Sequence, residues 1–536
     1  MQLPKPTKMP TVPCNTQNDL RHQAYRQSLT VESLCFYITL NLKKLLFPLL
    51  AFAVPMLVRF TPEALMGQYI VGFDTMAHYV PTTLLWLDGQ VSLWSFIATA
   101  PLLYTITAGL TLASGSVLIV LKVLAPILLG FLGLSMYWYA RRGLAWSPSK
   151  SLIPAIVGTI YFVALRISWD ALREEIAVIF FFVALTVIAI APPTKKFSWK
   201  RYLPLSGALI AVVLSNQVVS VLAMGVVLFT VIYKLFRKER INAIRLVAFT
   251  LPAAALFLVV FYLSPSIPEY RLIFGFPSTP DSWLSLFGYT SYQSMLYSEA
   301  WFLLYCFVPL LPLALLGVRH FKNFQLRIWI GLILLAAFVP IVSPSNPRLL
   351  MLISYPLVFF TAEGLSRLKA VQWKRFGKPL LGAGMVYLAS VTAVFSLGFM
   401  TYSPAAPFSY FAAEGSNNHI YQIPSSMLQN TVSIDDCSDT ANTVQWLKTN
   451  MDSNSVLLSH RVLYGWALLE LNASQVILYE YDNPAETAGN LPGSYSHVYL
   501  IWWINGEGWH GLPAVPPVFH QVYQSGNMAV YTYTST

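Results

Sequence analysis

A chain of 536 residues that is 56% hydrophobic and only 11% charged is excluded from the ordinary soluble class, whose charged share runs near one quarter. Its mean hydropathy of +0.57, with apolar runs recurring to about residue 400, leaves a protein that crosses a membrane many times. The net charge of +11 would suit a nucleic-acid partner if it were evenly spread, but the basic residues cluster in alternate loops.

The first forty or so residues are polar, so no cleavable signal peptide is expected, and residues 1–44 read as an N-terminal tail ending at Lys43-Lys44. Apolar runs then predict about eleven transmembrane helices, near 45–60, 117–140, 152–166, 172–191, 203–215, 217–235, 246–263, 299–318, 327–343, 349–366 and 379–400. Arg141-Arg142, Lys195 to Arg201, Lys234 to Arg245, Arg319 to Arg327 and Arg367 to Lys378 fall on one side, with the N-terminal tail. The positive-inside rule puts that side in the cytoplasm, so the basicity reports topology and no nucleic-acid partner is expected.

The opposite side carries long loops. Residues 61–116 form the first, with Phe96–Ala113 read as a helix lying along the interface; counted as a span, it would place Arg141-Arg142 outside. Lys122 lies one turn into the second span, and the third ends at Arg166 before the acidic turn Ile167–Glu175. Residues 264–298, containing Arg271, form a second long loop, and Pro344-Ser-Asn-Pro-Arg348 precedes the tenth span. Composition then changes. Residues 401–438 read as a linker and 439–536 as a small extracytoplasmic α/β domain, with helices at Thr440–Asn450 and Gly465–Leu471. Its strands are expected at Val456–His460, Gln475–Glu480 and Val498–Asn505, with a closing hairpin, Val518–Gln524 and Met528–Thr534, around Ser525-Gly526-Asn527. No glycine-rich phosphate loop precedes either helix, so no nucleotide cofactor is expected. Cys14, Cys35, Cys306 and Cys437 show neither metal-ligand nor disulfide spacing.

The chemistry is placed in Gly72-Phe-Asp-Thr-Met-Ala-His-Tyr-Val-Pro81. If that stretch is a short helix, Asp74 and His78 share one face, a turn apart. The same side gathers Lys122, Arg166, Asp170, Arg173, Glu174, Glu175, Asn216, Arg271 and Arg348. So many polar groups at one end of a bundle suggest a polar cavity. Cations there would neutralise a phosphate, and a carboxylate would take the proton of an attacking hydroxyl. Each group also has a plainer use: Lys122 snorkelling, Asp170 pairing with Arg166 or Arg173, Asn216 making a turn.

This arrangement resembles the GT-C-fold glycosyltransferases, among them oligosaccharyltransferase catalytic subunits, protein O-mannosyltransferases and aminoarabinose transferases. Phe73-Asp74 to His78-Tyr79 looks like that superfamily's first-loop acidic motif, Trp169-Asp170-Ala-Leu-Arg173 like its second acidic turn, and Asn346-Pro347-Arg348 like its donor-phosphate arginine. The resemblance implies an inverting sugar transfer from a polyprenyl-phosphate-linked donor to a lipid, glycan or protein acceptor. Asp74 would be the general base, oriented by His78, with Asp170 and Glu174 as the acceptor or second acidic site. Arg348, Lys122 and Arg271 would hold the donor phosphate. Some relatives use a divalent metal (Mg or Mn), for which Asp74 and Asp170 would be ligands. No WWDYG-type motif is present, because Ile-Asn follows Trp502-Trp503, which counts against an N-glycan transferase. The rival from another class is a transporter or flippase of a lipid-linked sugar or small solute, which needs ionisable or broken-helix sites near mid-membrane.

Overall fold

The computed structural model describes residues 45–190, 199–263, 291–338, 347–368, 377–401, 426–479, 484–491, 495–505 and 514–534. The chain divides into two units, Met1–Leu50 and Ala51–Thr536, and all packing described below lies within the second. Arg271 and most of the 264–298 loop fall outside the described residues, as does the side chain of Arg348.

Among the described residues six helices are long and apolar enough to cross a membrane: α1 (Leu45–Leu65), α5 (Val117–Gly143, its last turn π-wound), α10 (Gln217–Phe236), α11 (Arg240–Val260), the helix at Leu349–Leu368 and that at Lys378–Thr401. Two further pairs are bent at a break, giving up to eight crossings if each pair is one span. The protein is therefore an integral membrane protein, with fewer unbroken spans among the described residues than the apolar runs suggest. The reason is local. The third run is α6 (Pro148–Ile160) and α7 (Phe162–Asp170), which meet at 57° because Tyr161 takes an extended ψ of 138°. The eighth is Tyr292–Phe307 followed by Leu311–His320, bent by 91° where Pro309 and Pro312 interrupt the backbone donors. The runs near 203–215 and 327–343 are the short helices Tyr202–Ser215 and Phe324–Phe338.

The stretch expected to lie along the interface is two helices, α3 (Leu93–Ala98) and α4 (Leu102–Ser114). At about 1.5 Å per residue α4 is about 20 Å long, too short for a hydrocarbon core of about 30 Å. Ser116 caps α5, its hydroxyl accepting from Ile119 N at 3.4 Å. Asn216 is likewise a cap, accepting from Val219 N at 3.0 Å to start α10. Between these, α8 (Leu172–Ile190) packs against α5 and against the following helix, Trp199–Ser215.

Past residue 426 the chain forms a five-stranded mixed sheet of order β2-β1-β3-β5-β4. β1 (Val456–His460) pairs in parallel with β2 (Val476–Tyr479) and β3 (Val498–Trp503), which is buried along its whole length. β4 (Phe519–Ser525) and β5 (Met528–Tyr533) close the sheet as the expected hairpin. The turn is held from below by the helix Cys437–Asn450: Asp439 accepts from Asn527 N at 3.1 Å, and Asp436 accepts from Asn527 Nδ2 and Trp503 Nε1, both at 3.0 Å. The helix Arg461–Leu468 connects β1 to β2. Cys306 and Cys437 are buried free thiols, and burial pushes the Cys437 thiol up to about 12.

Candidate active site at the Gly72–Tyr79 turn

A helix is present where one was expected, but it does not stop at Pro81: it runs on as Val80–Leu87, and the part before the proline is wound wider than an α-helix. Thr75–Tyr79 is a π-helical turn, closed by Val80 N donating to Thr75 O, with Asp74 immediately before it. Pro81 explains the change of pitch, because it has no N–H to offer the carbonyl of Ala77. Such single π turns are frequent at functional sites. Asp74 and His78 are partly buried, whereas Thr75, Met76, Ala77 and Tyr79 are packed inside.

Three pieces of chain hold this turn. Gly72 has a φ of +107°, and a Cβ there would lie 2.1 Å from the carbonyl oxygen of Trp169. Only glycine allows the first loop to press directly on the end of α7. The Tyr79 hydroxyl then donates to the backbone carbonyl of Asp170 at 2.7 Å. Residues 427–431, expected to be linker, fasten both turns. Trp169 Nε1 donates to Met427 O (3.1 Å) and Gln429 O (3.3 Å), Gly72 N donates to Gln429 O (3.1 Å), and Asn430 Nδ2 donates to Ile70 O (3.0 Å).

Tyr79 is the hub that sequence reasoning missed. Burial pushes its phenol well above the ordinary value, the nearby carboxylates of Glu174 and Asp74 push it further, and Arg173 pulls it back. The two acidic turns, almost a hundred residues apart in sequence, therefore both act on one buried phenol. Arg173 lies with its guanidinium 5.9 Å from the Tyr104 ring centre and donates to Ser215 O at 3.3 Å. Glu174 is partly exposed, and it and Glu175 both act electrostatically on Tyr355.

Other expected site residues have different surroundings. Asp170 forms a buried ion pair with Arg166, one turn back on α7. Lys122 Nζ donates to the carbonyls of Gly67 (2.5 Å) and Tyr69 (2.6 Å), so it clamps the chain leading into the Gly72–Pro81 stretch. A second buried pair was not anticipated: α1 continues past residue 60, and Arg59 meets Glu63 at 2.8 Å with both side chains at most 1% exposed. Arg59 also donates to Ser168 O (3.0 Å), and Glu63 accepts from Val71 N (3.3 Å). Glu175 is fully buried, and neither carboxylate oxygen has a hydrogen-bond partner among the described residues; Arg59 is the cation that acts on it. Among the described residues no three His, Cys, Asp or Glu side chains come together as metal ligands, and Arg166 already engages Asp170. No step below passes through a metal.

His78 brings a further surprise: its Nε2 is in contact with the guanidinium of Arg461, at the start of the Arg461–Leu468 helix. That helix lies on the π turn. A Cβ at Gly465 would sit 1.9 Å from Met76 O, and Trp466 stacks near Tyr69 (5.8 Å between ring centres) and donates to Thr431 Oγ1 at 3.2 Å. A lone Arg after a strand carries no sequence signal of this contact.

No protein-family model matches the sequence, and no curated protein matches it either. Solved structures do match the fold. ArnT from Cupriavidus metallidurans bound to undecaprenyl phosphate superposes with a TM-score of 0.52 at 13% identity, over 91% of this chain and 98% of ArnT. The mycobacterial arabinofuranosyltransferase AftD gives 0.52 at 14% identity over 91% of this chain and 40% of AftD. The Archaeoglobus fulgidus oligosaccharyltransferase in its apo form gives 0.50 at 11% identity, over 86% and 70%. The fold is thus that of the GT-C membrane glycosyltransferases. What the chain does within that fold is a question for the site.

Proposed function

We infer that the protein is a membrane glycosyltransferase that moves a sugar from a polyprenyl-phosphate donor to a hydroxyl acceptor on the extracytoplasmic face. The observation that carries this reading is the seam between the two acidic turns, Gly72 pressed on Trp169 O and Tyr79 donating to Asp170 O at 2.7 Å, within a fold shared with ArnT, whose structure holds undecaprenyl phosphate. Asp74 takes the proton from the acceptor hydroxyl as its oxygen attacks the anomeric carbon. The bond from that carbon to the phosphate oxygen breaks with inversion, and the electron pair leaves on the polyprenyl phosphate. Cations facing the phosphate stabilise that departing charge, so no general acid is required.

Glu174, in the second acidic turn, is the second acidic group and orients the acceptor. Tyr79 stays protonated and spaces the two acidic turns, since its hydroxyl is tied to the Asp170 carbonyl. Arg348 opens a short helix, Pro347–Met351, and its assignment to the donor phosphate, like that of Arg271, rests on the sequence resemblance. On this reading residues 1–44 are cytoplasmic and the sheet domain faces the other compartment, as the loop charges require.

The test is direct. Purified protein in lipid nanodiscs is given radiolabelled polyprenyl-phosphate sugars and candidate acceptors, and product is separated by chromatography. Turnover that depends on Asp74 supports transfer. A protein that moves label between leaflets of a vesicle without cleaving it is a flippase, and the transferase reading would be lost.

A further inference from the structure

We propose that the C-terminal sheet domain is a working part of the transfer site, with Gly465 as a positioning residue: by lying directly on the carbonyl of Met76 it fixes the turn that carries Asp74. The role of Asp74 rests on the transferase reading above, whereas the contact stands without it.

Three observations lead there. The π turn cannot extend itself. Val80 N donates to Thr75 O, five residues back, and the next bond of that register would run from residue 81 to Met76 O. Residue 81 is proline, which has no N–H to give. The turn therefore depends on what packs against it.

The second observation is what does so on the domain side. Gly465 stands inside the Arg461–Leu468 helix, where a Cβ would collide with Met76 O and lie 3.5 Å from Pro81 Cδ. Glycine is a poorer helix former than alanine, and Gly465 is not one of the glycines with a positive φ. Backbone lying on backbone is the condition here that only glycine meets. The neighbouring Trp466 is anchored, donating to Thr431 Oγ1 at 3.2 Å with its ring 5.8 Å from that of Tyr69, so the helix cannot simply lift away.

The third is the opposite side of the same turn, which is pinned to the bundle by Gly72 on Trp169 O and by Tyr79 donating to Asp170 O at 2.7 Å. Met76 and Ala77 are buried between these two supports, and Asp74 stands two residues before Met76. A side chain at position 465 pushes on one support while the other stays fixed, so the displacement falls on the turn. A misplacement of about 1 Å is enough to cost on the order of a hundredfold in rate.

The experiment compares hydrogen exchange by mass spectrometry with transfer of radiolabelled polyprenyl-phosphate sugars, on the full chain in lipid nanodiscs. The variants are Gly465→Ala, Pro81→Ala and, as a control in the same domain, Gly489→Ala, where an added Cβ meets only Tyr533 Oη at 3.7 Å. In Gly465→Ala the amides of residues 73–80 should exchange roughly tenfold to hundredfold faster, with those of β3 unchanged. Its kcat should fall by roughly tenfold to hundredfold while KM stays within about twofold. Gly489→Ala should match wild type in both assays. Pro81→Ala returns an amide to the turn, lets it rewind and draws Met76 O from Gly465, so residues 461–468 should exchange faster with β3 again unchanged. Exchange at 73–80 that stays at the wild-type rate in Gly465→Ala overturns the proposal. So does an equal quickening in β3, which makes Gly465 a folding residue, and so does a faster-exchanging turn with kcat unchanged. If Gly465→Ala yields no folded protein, Pro81→Ala decides, and unchanged exchange at 461–468 overturns the contact. Wild type without transfer removes the transferase reading and the positioning role with it, and the exchange comparison tells that failure from a failure of the contact.

Discussion

Two kinds of buried acid stand side by side in this protein. Glu63 and Asp170 each have an arginine four residues earlier on the same helix, Arg59 and Arg166, and form ion pairs shut away from solvent. Asp74 and Glu174 are only partly buried, and both act electrostatically on Tyr79. The first kind is satisfied within a single helix turn, and the second becomes a constellation only when two distant turns are pressed together. A carboxylate with its counter-charge on its own helix serves the fold, whereas one that waits for a tertiary neighbour is available for chemistry.

The contrast can be broken experimentally, beginning with the largest expected effect. Asp74→Asn should reduce transfer by about 10²–10⁴-fold, the usual worth of a general base, while thermal unfolding stays near wild type. Radiolabel transfer and a melting curve on the same preparation check both halves. Arg59→Ala should do the reverse. Leaving Glu63 buried and unpaired costs about 3–5 kcal/mol, read as a large fall in melting temperature or folded yield. The double variant Arg59→Met with Glu63→Leu should recover most of that stability, because the apolar pair leaves no stranded charge.

Gly72→Ala sharpens the comparison at the seam between the turns. A φ of +107° and a Cβ 2.1 Å from Trp169 O force the first loop away from α7. Strain of about 1–3 kcal/mol is expected, with transfer lost more steeply than stability. Tyr79→Phe removes the 2.7 Å hydrogen bond to Asp170 O and the spacer between the two acidic turns. It should cost about 1 kcal/mol in stability and lower kcat more than it raises KM.

The smallest effect lies far from the site. Hydrogen bonds from Ser455 and Ser496 hold the Asp452 carboxyl below its ordinary value. A depressed carboxyl stabilises the fold above its unfolded pKa of about 3.9, and that contribution disappears as the pH falls through the lower folded value. Asp452→Ala should therefore melt slightly below wild type near neutrality, and the two curves should converge in acid below about pH 3.

Much of this was legible before any coordinates. The apolar runs marked a membrane protein, and the strands at 456–460, 498–503 and 528–533 announced themselves by alternation and a Ser-Gly-Asn turn. The stretch around Asp74 was legible as helical, but its end was not, because Pro81 sits in the first turn of Val80–Leu87 instead of stopping the helix. The broken spans were harder to see, because a run of apolar residues looks the same whether or not Tyr161 turns the backbone extended in its middle. Tyr79 entered only as the last residue of the Phe73–Tyr79 motif, and Arg461 was not singled out, because the contacts of Tyr79 with Asp170 O and of Arg461 with His78 join stretches far apart in the chain.

Composition and local spacing thus determined the solvent the protein lives in, the sheet beyond residue 426 and the acid at 74. Those are properties of hydrophobic burial and of the two backbone periods, and both act over a few residues. The tertiary structure alone decided which acids from distant turns would act on Tyr79. It also brought a cation from β1's end to His78. Electrostatic partnership depends on distance through space, and distance along the chain carries almost no information about it.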